Sequence, residues 1–326
     1  MNFRHVFLSL LTACSFLLGP ALAAQAQPFP NKPITMIVAY PAGSSTDIMA
    51  RELAQGMGAI LGQNVIVLNR AGAGGVTGTE AVARAVADGY TIGWGTSSQL
   101  VMNAGVYRNM PFDIEKDLAQ VALVVKIPLA LAASSKAPRT LKELVAQAKG
   151  DSKRFTYGSA GPGSVSHVMT EVFLQQAGIQ VLHVPYRGAA PALLDLASGQ
   201  VDLVMDTFIA ISPFVDQGRV HVLGIGGDKR NASQPDVPTF AEQGYPDFSA
   251  YSWGAIFAPA GTPDPVIQRL NEAINAAMQT PGFKSRVAQV GGVLLGPDTP
   301  QAAAEFARRE RARWVPLIRN AGITAG

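Results

Sequence analysis

The run ITMIVAY (Ile34–Tyr40) is apolar without the alternation of a half-exposed strand. A strand of that kind is buried on both faces, which puts helices above and below a largely parallel sheet. The chain after it keeps to the same grammar. PAGSST leads into a helix from about Asp47 to Leu61, with Met49, Leu53, Met57 and Ile60 on one stripe. NVIVLNR (Asn64–Arg70), a Gly-rich turn AGAGGVTG, a helix through about Ala87 and a strand YTIGWG (Tyr90–Gly95) follow. This is repeated β–α–β, so the fold class is α/β with parallel sheets.

The logic recurs further on. FTYGSA runs into a helix from Ser164 to about Ala177, with Val165, Val168, Met169, Val172 and Phe173 as its apolar stripe. Then come VLHVPY (Val181–Tyr186), a helix over Ala190–Ser198, VDLVM (Val201–Met205), VHVLGIG (Val220–Gly226), SWGAIFAP (Ser252–Pro259) and two closing helices. Two strand–Gly/Ser loop–helix units, VAYPAGSSTDI and FTYGSAGPGSVSH, thus stand about 120 residues apart. Such loops lie beyond the carboxyl ends of strands, where ligands bind. Two sheets with facing loops make a cleft. The expected division is one lobe from residues 27–130 plus 251–326 and a second from residues 131–250.

Ser164 as N-cap would accept from the N–H of Ser166 or His167. The other early N–H groups would stay open, and the helix dipole favours an anion there. Gly43, Ser44, Ser45 and Thr46 stand in the same relation to the first helix. His167, at the third helical position, either donates to a ligand or is an ordinary first-turn histidine. Asp47 caps or favours its own helix start, and is a lesser candidate for direct ligand contact unless that ligand carries an amine. Asp206 closes a strand and faces the cleft or caps a helix.

Other chemistries lack their residues. There is no G-x-S-x-G, G-x-x-x-x-G-K-[ST] or H-E-x-x-H, and AGAGGVTG lacks the G-x-G-x-x-G spacing. Ser164 and His167 as a hydrolytic pair are a lesser reading than Ser164 as a cap. No cofactor or metal is expected.

The first 26 residues read as a signal peptide. Arg4 and His5 precede the apolar run Val6–Leu18, and Ala21-Leu22-Ala23 and Ala24-Gln25-Ala26 are small-x-small cleavage sites. The run is short for a membrane span of about 20 residues. Cys14, the single cysteine, matches a lipidation box, but apolar residues continue past it where a polar tether belongs. Cleavage after Ala26 leaves no cysteine and hence no disulfide. Without Arg4 the excess of basic over acidic side chains falls from three to two, too small for a nucleic-acid partner. Arg308, Arg309, Arg311 and Arg313 read as a solvated helix face interrupted by Glu310.

Taken together, IVAYPAGSSTDIMAR, NRAGAGGVTGTEAVARAVADGYTI, MPFDIEKDL, TYGSAGPGSVSHVMTEVF, VPYRGAAPALLDLASGQVDLVMD, VPTFAEQGYP, WGAIFAPAGTPDPVIQRLNEAI and the closing PGF…GG segment resemble the Bug family. These are periplasmic solute-binding proteins, the extracytoplasmic receptors of tripartite tricarboxylate transporters. The resemblance spans about Phe29 to Ile323. It implies a two-lobed type II periplasmic-binding-protein fold, no catalysis, a periplasmic monomer, and a small carboxylate ligand: a di- or tricarboxylate, an acidic amino acid or an aromatic acid. It implies as partner the membrane subunits of such a transporter; a periplasmic sensor is the alternative. Carried over by motif, the ligand-binding positions are Tyr40, Gly43, Ser44, Ser45 and Asp47 in the first lobe. In the second they are Ser159, Ala160, Gly161, Ser164 and His167, with Tyr186, Gly188 and Asp206 behind them. The chain departs from the family's usual P-x-G-G-x-x-D by having Gly43-Ser44, and has Tyr40 where phenylalanine is common.

Overall fold

The computed structural model describes residues 29–324 except 152, 228, 232, 233 and 247. The expected leader, with Cys14, lies outside the described residues. The first strands are β1 (Ile34–Val38), β2 (Val65–Asn69) and β3 (Thr91–Thr96), mutually parallel with β1 in the middle. Ile34, Met36 and Val38 pack on one face of the sheet and Ile37 on the other, as the unalternating run requires.

Between β1 and β2 lies α1 (Ser45–Leu61), which begins two residues before the expected start because Ser44 caps it. Gly62, in the left-handed region, ends it. Met49, Leu53, Met57 and Leu61 are its buried stripe; Ile60 is only half-buried. The next helix, α2 (Val76–Ala83), ends four residues earlier than its pattern indicated.

The element that joins everything is β4 (Leu118–Ser134), a 17-residue strand. Its first part, Leu118 to Pro128, pairs antiparallel with β9 (Tyr251–Pro259), which in turn pairs antiparallel with β3. Its second part, from Leu129, pairs antiparallel with β7 (Leu203–Thr207), while Ala130 to Ser134 pair with β8 (Val220–Ile225). Beyond β7 lie β5 (Thr156–Ser159) and β6 (Leu182–Pro185), both parallel. The strand order is β2-β1-β3-β9-β4-β7-β5-β6, with β8 also on β4 and β10 (Val293–Leu294) paired to it. So the sheets are mixed, not wholly parallel, and they are joined through β4 where two separate sheets were expected.

Helices absent from the sequence reading are α3 (Asn103–Val106), α4 (Leu141–Gly150) and α7 (Phe208–Asp216). Two helices that were expected are α5 (Val165–Ala177), after β5, and α6 (Ala189–Ser198), after β6. The C-terminal part has three helices where two were expected: α8 (Asp264–Met278), α9 (Pro281–Gln289) and α10 (Pro300–Asn320). Glu310 of α10 does not interrupt a solvated face. It is buried, and its carboxylate accepts from Tyr251 Oη (2.9 Å) and Trp253 Nε1 (3.2 Å). Arg308 and Arg311 are paired with Glu305 and Glu115. Among the described residues no helix is long and apolar enough to cross a membrane.

At Leu129 β4 passes from its β9-paired part to its β7-paired part. The Leu129 N–H donates to Ala250 O (3.0 Å), and its carbonyl accepts from Gly226 N–H (2.6 Å). Gly226 is needed for contact: a Cβ there would lie 1.8 Å from Ala250 O. Thr96, at the carboxyl end of β3, pairs with Gly254, and Gly254 pairs with Val125 of β4. Asp206, near the carboxyl end of β7, pairs with Ala130 of β4. The carboxyl ends of both strand sets therefore converge on the crossing, where the cleft is expected.

Candidate ligand site

The first loop is held from below. Asp47, 2% exposed, accepts from Gly43 N–H (2.9 Å) and Arg51 Nε (3.1 Å) at Oδ2, and from Asn69 Nδ2 (2.8 Å) at Oδ1. Arg51 also closes an ion pair with it at 3.0 Å. Burial raises the Asp47 pKa, but the hydrogen bonds from Arg51, Gly43 and Asn69 outweigh it and leave the carboxyl below the usual range. Asp47 is thus a brace for the loop. Gly43 sits at φ +80°, a conformation glycine adopts without strain.

Above that brace the donors are open. Ser44 Oγ accepts from Asp47 N–H (3.2 Å), which caps α1 and leaves its own proton unassigned. Among the described residues, nothing accepts from the N–H groups of Ser45 and Thr46. They are the first two residues of a 17-residue helix, where the dipole favours negative charge.

The second loop is built differently. Both loops were expected to offer open N–H groups, yet here nearly all are used internally. Ala160 N–H donates to Ser166 Oγ (3.0 Å), Gly161 N–H to Ser159 Oγ (3.1 Å), Gly163 N–H to His167 Nδ1 (3.2 Å) and His167 N–H to Ser164 Oγ (3.2 Å). Ser164 caps α5 as expected, and its proton goes to Gly161 O at 2.6 Å. Among the described residues, nothing accepts from the Ser166 N–H or from His167 Nε2. Burial, with the charge of His183 second, pushes the His167 pKa down to about 4, so the ring is neutral at pH 7. Nδ1 accepts from Gly163, which places the single ring proton on Nε2.

His183, to which the sequence reading gave no role, completes this loop. It stacks on His167 at 4.2 Å and on Tyr157 at 4.7 Å between ring centroids. Its Nε2 lies 2.7 Å from Ser159 Oγ. Tyr157 Oη in turn donates to Glu171. Tyr186 turns its hydroxyl away, donating to Asp195 at 2.7 Å; burial and that carboxylate push its pKa up to about 12. Gly188 turns the chain into α6. Asp206 Oδ1 accepts from Thr207 N–H (2.6 Å) and Thr207 Oγ1 (3.2 Å), and burial raises its pKa.

The two loops meet through the polar run Thr96-Ser97-Ser98-Gln99, which begins at the last residue of β3. Tyr40 Oη lies 3.0 Å from Thr96 Oγ1. Ser98 Oγ accepts from Val165 N–H (3.1 Å), so a first-lobe side chain receives the opening N–H of α5. Ser97 Oγ is 3.4 Å from Ser252 Oγ. The signal was present in the sequence: four polar residues directly after a buried strand. A concavity of about 780 Å³ between Tyr107–Glu115 and α10 contains no residue of either loop.

As a hydrolytic pair, Ser164 and His167 are not aligned. The serine proton is engaged with Gly161, and the imidazole Nδ1 faces Gly163 N–H. Among the described residues no cluster of His, Cys, Asp and Glu is placed to hold a metal ion.

Comparison with known proteins agrees with this architecture. The sequence model of a family described as tripartite tricarboxylate transporter family receptor matches residues 49–323. Protein BugT of Bordetella pertussis is 37% identical over 306 residues, covering 93% of this chain and 94% of BugT. Among solved structures, the periplasmic binding protein BugD is 33% identical with a TM-score of 0.83, covering 90% of this chain and 99% of its own. R. palustris Rpa4515 with adipate is 31% identical with a TM-score of 0.84, covering 90% and 99%. MatC from Rhodopseudomonas palustris with bound malate is 30% identical with a TM-score of 0.82, covering 89% and 100%.

Proposed function

This chain belongs to the tripartite tricarboxylate transporter receptor family, and from that premise we propose that it is a periplasmic receptor that holds a small carboxylate between its lobes and passes it to the membrane subunits of such a transporter. The observation that carries the ligand class is the start of α1, where Ser45 and Thr46 offer two open N–H groups beside the Ser44 hydroxyl. His167 Nε2–H and the Ser166 N–H face the ligand from the second loop. Adipate and malate, held by two relatives, are acids of this class.

No lysine or arginine is required. A hydrogen bond to a charged group contributes roughly 1.5–3 kcal/mol. A helix terminus adds about 0.3–1 kcal/mol, more when partly buried. Micromolar affinity needs about 8 kcal/mol, which a few such contacts reach after ordering costs. The lobes divide, on this reading, at residues 27–130 plus 251–326 and 131–250, and closure about the Leu129 crossing presents the loaded form to the transporter.

Thermal unfolding against carboxylates, amino acids, sugars and phosphates tests the class. A ligand at 100 times its Kd stabilises by about 2.7 kcal/mol, and a shift confined to sugars or other neutral solutes refutes the reading. Ser45→Pro tests the site. Proline is accepted at the first helical position, and Ser44 is already extended (φ −66°, ψ 158°) as a residue before proline must be. The variant deletes one proposed donor, so unfolding without ligand should hold while affinity falls about tenfold. Undiminished affinity means the carboxylate sits elsewhere.

A further inference from the structure

The direction of one hydrogen-bond chain sets what the ligand must carry besides its carboxylate. Gln99, fully buried, accepts from Thr96 N–H at its Oε1 (2.8 Å), which fixes the orientation of the amide. The same Oε1 lies 2.6 Å from Thr96 Oγ1. A carbonyl oxygen has no proton to give, so the threonine hydroxyl donates its single proton there. Thr96 Oγ1 can then only accept from its other partners. These are Ser98 N–H at 3.3 Å and Tyr40 Oη at 3.0 Å. The proton of Tyr40 is therefore committed to Thr96. Tyr40 is half-buried and directly precedes the loop that carries Ser44, Ser45 and Thr46. What it offers a ligand beside that loop is a lone pair and no proton.

From this we propose that the site selects carboxylates bearing a hydroxyl or ammonium group, whose proton Tyr40 Oη accepts. The inference rests on the carboxylate reading above and adds the substituent. A bare carbonyl or second carboxylate oxygen at that position meets a lone pair and is disfavoured; an O–H or N–H is held. Tyr40 is the contact and Thr96 the positioning residue, since Thr96 decides which way the phenol proton points.

The test is a set of titrations by calorimetry with matched acids: succinate against malate and aspartate, glutarate against 2-hydroxyglutarate and glutamate, and benzoate against 2-hydroxybenzoate and 2-aminobenzoate. Within any set that binds, a substituted member should bind about tenfold tighter than the plain acid, the factor of one net hydrogen bond. Tyr40→Phe should bring that ratio to within about twofold. Thr96→Val keeps the side-chain shape but frees the phenol proton, so it should shrink or reverse the ratio. A merely structural role for either residue lowers all affinities together and leaves the ratio alone. Plain acids binding as tightly as substituted ones overturns the proposal while the carboxylate reading stands, as does a ratio that survives Tyr40→Phe. Heat from none of these acids, with a thermal shift only from neutral solutes, overturns both.

Discussion

Replacing Asp47 with asparagine keeps the shape of the first loop's brace and removes its charge. The carboxylate takes four contacts, from Gly43 N–H, Asn69 Nδ2 and two nitrogens of Arg51. Asparagine has one acceptor oxygen, and its NH2 must face a donor. At least one charge-assisted bond is lost, roughly 1.5–3 kcal/mol. Arg51 is half-exposed and regains water, so its share is small. We expect about 2–3 kcal/mol of destabilisation at pH 7, read as a lower urea midpoint with an unchanged slope. Because the Asp47 pKa is lowered from 3.8 in the folded chain, its contribution is present above that value and is lost as pH falls through the folded one. The gap between wild type and variant should therefore close under strong acid. A gap below about 0.5 kcal/mol at pH 7, or one that persists unchanged at pH 2–3, would refute the bracing argument.

Gly226→Ala places a Cβ 1.8 Å from Ala250 O, an oxygen already bonded to Leu129 N–H; a loss of about 1–3 kcal/mol is expected, with a changed radius of gyration, and unaltered unfolding would show that the crossing yields easily. His167 has its folded pKa lowered from 6.5 to about 4 by burial and by His183. The unfolded chain thus binds more protons between those values, and stability is full above pH 6.5 and falls by about 3 kcal/mol in total as pH drops through 4. His167→Phe, which retains a ring against His183, should flatten that acid limb; an equally steep fall in the variant assigns it to other groups.

What the sequence revealed was local. Ser164 as a cap, the stripe of α1 and the Ile34–Val38 strand all follow from residues within a turn or two of one another, whereas the first helix starts earlier than expected, with Ser44 rather than Asp47 as its cap. β4 was not legible. Its partners β7, β8 and β9 lie some 70 to 140 residues downstream, and Pro128 interrupts its apolar run. The direction of donors in the second loop was hidden for a related reason. Whether Ala160 N–H is open depends on where the Ser166 hydroxyl points. His183 and Gln99 matter through neighbours that only the fold supplies. The resemblance named most of the loop positions, but gave no indication that Asp47 and Ser164 serve the loops from within or that Tyr186 turns its hydroxyl to Asp195.

The position of β9 also dictates an order of assembly. It lies between β3 and β4, yet it is made from Tyr251 onward, after every strand of the second lobe. As the chain emerges from its N-terminus, the first sheet has a gap one strand wide that nothing earlier in the sequence fills. Strands β5 to β8 all precede β9 in sequence and can assemble on β4 first, leaving β1, β2 and β3 waiting with an unpaired edge. Closing that gap requires contacts between residues more than 150 positions apart, a long loop to shut and a slow step by topology alone. The β1–β3–β9–β4 part of the sheet therefore cannot be completed before Tyr251–Pro259 is made, and the Gly43–Thr46 loop belongs to that part.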